Sequence, residues 1–356
     1  MCEKTVNTIK ASLKPDEAAV ITSGPNRFYV TGFNSSAGTV VITAKTATFL
    51  IDFRYFEKAK SVVSSCDVVL SSRSVSEIKD ILTAQGVKRV YIEADRASVS
   101  QLNSYRKEFD GIEVSDDDKL DRMLEDMRCI KTEKELEYIK YAQKLTDDTF
   151  SYILNNIKTG RTEREVMLDM EFYMRKAGAD GVSFDFIVIS GKNTSLPHGV
   201  PTNKKIENGD FITMDFGALV NGYRSDMTRT VAVGGVSEKQ KEVYDTVLKS
   251  QLAAIKAVKP GVVCKDIDKI ARDIIYGAGY EGCFGHGLGH SVGIEIHENP
   301  NFNTRCTDIL RAGTVITVEP GIYIENEFGV RIEDMVYAVE GGCIDITGSD
   351  KELIVL

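Results

Sequence analysis

The sequence predicts an α/β domain over residues 1–119, followed by an α+β domain over 120–356 that carries an internal pseudo-twofold duplication. Three observations predict it. Short Val-, Ile- and Thr-rich runs alternate with helical apolar patterns in the first third. After the acidic run Asp116–Asp118, read as a solvated linker, long helices come first and strands follow. One stretch of the second part then recurs at a fixed offset of 101 residues.

Taken in order, Ala18–Thr22, Thr39–Thr43 and Thr48–Asp52 read as strands. Ser74–Gln85 reads as a helix, because Ser74 and Glu77 have capping-box spacing and Gly86 ends the pattern. Val90–Glu93 is a strand, and a helix starts at Ser98. Thr132 with Glu135, Thr162 with Glu165 and Ser237 with Gln240 repeat the capping-box spacing ahead of helical repeats. Strands are expected at Phe186–Ile189, Phe211–Phe216, Thr228–Val233, Thr314–Val318 and Val330–Val339. The repeat aligns 157–166 with 258–267 and, without a gap, 177–181 with 278–282. Each copy reads as a helix end, a Gly turn, a second helix and a Gly-rich exit. Two related halves facing each other leave a cleft, and clefts are where sites are built.

With 356 residues, 42% hydrophobic and 27% charged, the chain has an ordinary globular composition. Disordered, collagen-like and coiled-coil classes are excluded. The net charge of −9, with no basic block, argues against a nucleic-acid partner. No apolar run approaches the about 20 residues of a membrane helix, and the start MCEKTVNTIK has no signal-peptide stretch. Seven widely spaced cysteines, without a CxxC pair, argue for a reducing cytoplasm and against a disulfide framework or zinc ribbon.

The chemistry concentrates in the second domain. All four histidines, His198, His286, His290 and His297, lie there. Asp215 sits in an apolar run, and Asp226 follows past an Asn221-Gly222 turn. A hairpin through that turn would set the two acids on adjacent strands. Carboxylates so placed repel unless protonated or bridged by a cation. The plain alternative is a surface hairpin with incidental acids. His290 stands among small residues that admit close approach, and Glu319 precedes Pro320-Gly321. Glu333 lies inside a Val/Ile run, where an uncompensated carboxylate is costly. Three buried carboxylates, one at a strand edge and one imidazole need a counter-charge, and a pair of divalent metals supplies it. The set is oxygen-rich and offers no thiolate. That favours manganese, iron or cobalt, allows zinc and argues against copper.

Together MDFG, SDMTRT, GHGLGHSVGIEIHE, VEPG and RIED resemble the pita-bread metallopeptidases. The resemblance is closest to the Xaa-Pro aminopeptidase (aminopeptidase P) and Xaa-Pro dipeptidase (prolidase) branch. NRFYVTGF and the layout before Asp116 resemble that branch's creatinase-like N-terminal domain. The resemblance implies two divalent metals, manganese first, with cobalt, iron or zinc as alternatives. Asp215 would bind one metal, His290 and Glu319 the other, and Asp226 and Glu333 would bridge. Glu319 would also accept the proton of the attacking water, which the metals activate. His198 would contact substrate and stabilise the intermediate, and His297 would stand by the scissile carbonyl and proline ring. His286 would line the pocket beyond the scissile bond. Arg331 and Tyr323 are read as hydrogen-bond partners of the ligand carboxylates.

The implied reaction is removal of the N-terminal residue from small peptides with proline in second place, an Xaa-Pro aminopeptidase. An Xaa-Pro dipeptidase is the alternative. The aminopeptidase stands first because no element dedicated to gripping a dipeptide carboxylate is evident. A methionine aminopeptidase would lack the N-terminal domain, and creatinase would lack the metal set. A non-catalytic protein-binding relative would have lost ligands. The family also implies a homodimer.

Overall fold

The computed structural model describes residues 2–72 and 74–356. The chain divides into two compact units, Met1–Arg128 and Cys129–Leu356.

In the first unit a sheet runs, in spatial order, Asp67–Leu70, Ala47–Ile51, Thr39–Thr43, Glu17–Ile21, Arg89–Ile92 and Glu113–Ser115. Thr39–Thr43 is antiparallel to both neighbours, and the other pairings are parallel. Every residue of Glu17–Ile21 is buried, as a strand covered by helices on both faces requires. Alternation sends Ala19 and Ile21 to one core and Ala18 and Val20 to the other. Ser74 and Ser98 cap the helices Val75–Ala84 and Val99–Glu108, each side chain accepting a backbone N–H of the first turn. Leu120 and Leu124 of the helix Lys119–Cys129 are buried in the first core. The unit therefore runs through that helix, beyond the acidic run.

The second unit holds two helix pairs. Glu133–Leu154 and Glu163–Lys176 form the first, and Glu238–Ala257 and Cys264–Gly277 the second. The expected capping boxes form at Thr132/Glu135, Thr162/Glu165 and Ser237/Gln240. The duplication repeats bond for bond. The N–H of Gly160 meets the carbonyl of Ile206 as that of Gly261 meets Leu310. Likewise Glu163 N–H meets Lys204 O, and Cys264 N–H meets Asp308 O.

One sheet of this unit orders Met227–Ala232, Phe211–Phe216 and Ile187–Ser190. Another orders Glu298–Phe302, Gly289–Ser291, Val315–Val318, Asp334–Val339 and Gly342–Asp345. The strand expected over Val330–Val339 is divided. Phe328–Arg331 pairs with Gly321–Ile324, whereas Asp334–Val339 pairs with Val315–Val318. Pro320 explains the break, since it has no N–H to give the ladder. One long hairpin is thus interrupted at Glu319-Pro320 on one strand and at Ile332-Glu333 on the other.

Candidate active site

The interrupted hairpin presents two carboxylates. Glu333 lies at the switch between sheets, its N–H donating to Thr228 O at 3.1 Å. Glu319 is anchored by its N–H to Leu288 O at 2.8 Å. The other half supplies two aspartates. Asn221 and Gly222 both have positive φ, 47° and 81°, as the tight hairpin turn needs. The returning strand pairs Thr228 with Asp215 and so brings Asp226 alongside. Gly217 is obligatory at this crossing, because a Cβ there would lie 1.9 Å from Ser225 O. His290 comes from Gly289–Ser291, where a Cβ on Gly289 would lie 2.0 Å from Thr317 O.

These side chains converge on one cavity of ≈ 660 Å³. Donor atoms of Asp226, His290 and Glu333 all lie within 4.8 Å of one another. His290 Nε2 is 3.5 Å from Asp226 Oδ2 and 3.4 Å from Glu319 Oε1. His290 Nδ1 lies 3.2 Å from Ser291 O, which can only accept, so Nδ1 carries the proton. The Nε2 lone pair then faces carboxylate oxygens. Burial, then the neighbouring His297, pushes the His290 pKa down to about 4. Burial raises Glu319 to about 8, with Asp215 adding to the rise. Asp226 and Glu333 are pushed well above the carboxylate range, by burial and then by each other's neighbourhood of acids. Asp215 Oδ2 accepts from Arg331 at 2.6 Å, but its buried Oδ1 has no hydrogen-bond partner among the described residues. An orphaned carboxylate oxygen, a cluster of mutually repelling acids and an inward imidazole lone pair fit divalent cations.

All five expected ligands are therefore brought together, and the remaining expected residues surround them. His198, His286 and His297 line the same cavity. The His297 ring packs edge-on against His290, centroids 4.3 Å apart. Arg331 donates to one of the candidate ligand carboxylates, that of Asp215, and also to Tyr323 Oη at 2.9 Å. Tyr323 in turn faces His286 Nε2 at 2.9 Å. His286 Nδ1 lies 2.8 Å from Gly287 O, so Nδ1 bears the proton and Nε2 accepts from Tyr323. Both nitrogens of His286 are thereby engaged within the protein. It presents its ring to the cavity, not a free donor.

Some supporting residues were not legible in the sequence. The Thr228 hydroxyl accepts from Arg331 Nε at 3.0 Å and donates to Glu333 at 2.7 Å. The Thr317 hydroxyl accepts from His290 N–H and donates to Glu319. Each lies two residues from a ligand on a strand, a spacing that signals a shared face. Arg272 donates to Phe284 O and His286 O and so fixes the Gly-rich turn. In sequence, Asp268 and Arg272 look like an ordinary i, i+4 surface pair.

Residues 137–340 match metallopeptidase family M24, and residues 12–130 match the creatinase/prolidase N-terminal domain. An Xaa-Pro dipeptidase of Pyrococcus horikoshii is 38% identical over 339 residues, 95% of this chain and 94% of its own. The structure of an Xaa-Pro dipeptidase from Bacillus anthracis aligns with TM-score 0.94 at 38% identity, covering 100% of each chain. That of an X-Pro aminopeptidase from Thermotoga maritima aligns with TM-score 0.89 at 34% identity, covering 98% of this chain and 99% of its own.

Proposed function

The chain belongs to metallopeptidase family M24, and we propose that it hydrolyses the bond ahead of proline in Xaa-Pro dipeptides, with longer Xaa-Pro peptides as the second reading. It is a metallo-exopeptidase with a creatinase-like N-terminal domain. One observation carries the reading: Asp226, His290 and Glu333 offer donor atoms within 4.8 Å, in a cavity where Asp215 Oδ1 has no partner among the described residues. Similarity to Xaa-Pro dipeptidases over nearly the whole chain supports the dipeptide. So does Arg305, an exposed cation in the cavity wall, where a dipeptide carboxylate can be met. Arg272 and Arg331, which also line the cavity, are tied to Asp268 and Asp215. Similarity to the Thermotoga aminopeptidase supports the second reading.

Asp215, Asp226, His290, Glu319 and Glu333 would hold two divalent cations, manganese first on so oxygen-rich a set. Such cations would supply polarisation of the scissile carbonyl and acidification of the attacking water. The Glu319 carboxylate receives that water's proton. A ring N–H of His198 donates to the carbonyl oxygen as charge develops on it, and His297 orients the carbonyl beside the proline. His286 contributes its ring face as wall. Arg331 and Tyr323 keep Asp215 and His286 in place. The bond ahead of proline is a tertiary amide without N–H, so recognition rests on ring shape. The family resemblance supports a homodimer. Seven free cysteines support a reducing, cytoplasmic setting. Among the described residues no helix is long and apolar enough to cross a membrane.

The test is direct. Manganese-loaded enzyme is incubated with Ala-Pro, Ala-Pro-Ala and Ala-Ala-Ala, and released alanine is followed. Cleavage confined to Ala-Pro is expected. Strong cleavage of Ala-Pro-Ala would establish the second reading, and cleavage of Ala-Ala-Ala alone would end both. Chelation should abolish turnover, and manganese should restore it.

A further inference from the structure

Glu163 is wholly buried, and the Lys204 ammonium reaches it only through the Ser190 hydroxyl, 3.0 Å from each. It opens the helix Glu163–Lys176 and accepts five hydrogen bonds from one loop. Oε1 accepts from Ser190 N–H at 2.7 Å, Ser190 Oγ at 3.0 Å and Asn193 Nδ2 at 3.0 Å. Oε2 accepts from Thr202 N–H at 3.0 Å and Thr202 Oγ1 at 2.6 Å. One carboxylate thus ties together both stems of the loop 190–202, which carries His198 between them.

The duplication shows that the fold itself does not need an acid here. In the second half Cys264 stands where Glu163 stands, and Cys306 where Thr202 does. Arg164 N–H meets Thr202 O just as Lys265 N–H meets Cys306 O. There the Cys264 thiol meets the Cys306 thiol across the stem, with the exposed Asp308 carboxylate and the Cys129 thiol also near it. The main-chain scaffold is the same, and at this position only the first half carries a buried acid. A buried carboxylate is costly unless fully hydrogen-bonded, so a thiol pair is the cheaper solution. Both loops hold a histidine in the cavity wall, His198 in the first and His297 in the second, but the second carries its own buried acid, Glu298, paired with Lys131 at 3.0 Å, whereas the first takes its acid from the helix start at Glu163.

We propose that Glu163 is the positioning residue for His198, holding the loop 190–202 closed at both stems so that the imidazole stands at the cavity. This rests on the reading of His198 as a catalytic residue. Glu163 makes no contact with substrate in this scheme and acts on turnover only through that histidine. Other ties support the loop beside Glu163: Gly329 N–H to Thr194 Oγ1 at 2.8 Å, Arg331 Nη1 to Pro197 O at 3.2 Å, and Lys204 Nζ to Ser190 Oγ at 3.0 Å, the last sharing its hydroxyl with Glu163.

The test is a double-mutant cycle of Glu163→Gln and His198→Ala in the manganese-loaded full chain. It is read as kcat and KM on Ala-Pro, bound metal, and hydrogen exchange of amides 191–201. Glutamine keeps the shape but turns an NH2 toward donors on one stem. Misplacing a catalytic group by about 1 Å costs up to about 10²-fold. E163Q is therefore expected to lower kcat by about 10–100-fold, with KM and bound metal unchanged. In the H198A background the same change should cost less than about twofold, as for residues that act as a unit. Amides 191–201 should exchange faster in E163Q. Parental kcat in E163Q, or a loss that multiplies with that of H198A, would overturn the proposal. If H198A alone turns over at the parental rate, the catalytic reading of His198 fails. Unchanged exchange in E163Q would then overturn the tie itself. Should E163Q not fold, Thr202→Val removes a single donor from one stem. It is expected to lower kcat about 3–10-fold alone and not at all beside H198A; equal losses in both backgrounds would overturn the proposal.

Discussion

At Asp215 one carboxylate oxygen is bound by Arg331, and the other is buried without a partner among the described residues. That asymmetry supports Asp215 as a candidate ligand, in contrast to the wall histidines His198 and His297. His198 and His297 belong to the cavity wall but lie outside the donor cluster, so His198→Ala and His297→Ala should keep the full metal content. Loss of one donor to a developing oxyanion typically costs about 10²–10³ in kcat. Elemental analysis beside steady-state kinetics checks both halves of that expectation; a variant that turns over at the parental rate removes its histidine from the mechanism. Arg305 makes a different kind of prediction. If its guanidinium meets the dipeptide carboxylate, Arg305→Ala should raise KM for Ala-Pro by about tenfold or more, the worth of one charged hydrogen bond. Ala-Pro-Ala should be much less affected. Equal effects on both peptides would take Arg305 out of dipeptide selection.

Among the elements, the decisive ones are the interrupted hairpin and the strand Gly289–Ser291 beside it. Pro320 stops the ladder, and the two residues left over on each strand include Glu319 and Glu333. The chain gives up regular pairing at the place where two acids must turn inward. Gly289 sets how closely the His290 strand approaches. A Cβ there would sit 2.0 Å from the Thr317 carbonyl, which is backbone and has no rotamer to change. Gly289→Ala should therefore push the strands apart, destabilise the unit by about 1–3 kcal/mol or more, and weaken metal retention. Thermal unfolding and metal content measured together check this. An alanine variant with parental Tm and full metal would show that the strands have slack.

For the whole molecule the metal centre is also a stability term. Without cations, burial and neighbouring acids hold the Asp226 and Glu333 pKa values well up, and Glu319 at about 8 against an ordinary 4.5. A carboxyl whose folded pKa is raised contributes stability that is fully present below its unfolded pKa. That stability is lost as pH rises through the folded value. Chelated protein should therefore lose Tm steadily between pH 4.5 and about 8. Manganese-loaded protein should be nearly level across the upper part of that window, because bound cations replace the missing protons. Calorimetry on both forms decides it, and a chelated protein whose Tm holds or rises over the window would contradict the clustering of these acids.

The sequence by itself determined what is local or periodic. The capping boxes at Thr132, Thr162 and Ser237 were readable because a cap is a four-residue event. The Asn221-Gly222 hairpin followed from the φ > 0 that its turn demands. The candidate ligand types were readable because acids and a histidine in apolar strands imply a counter-charge. The 101-residue repeat anticipated two halves whose loops are tied down alike. Only the tertiary structure decided which groups meet. Arg331 and Asp215 are 116 residues apart, and Glu163 and Thr202 are 39 apart on different elements. It alone showed that His286 spends both nitrogens inside the protein, and that the strand over Val330–Val339 changes partner at Glu333. The reason is physical. Side-chain periodicity and turn chemistry are written over a few neighbouring residues. A hydrogen bond between distant segments is set by packing that no local spacing encodes.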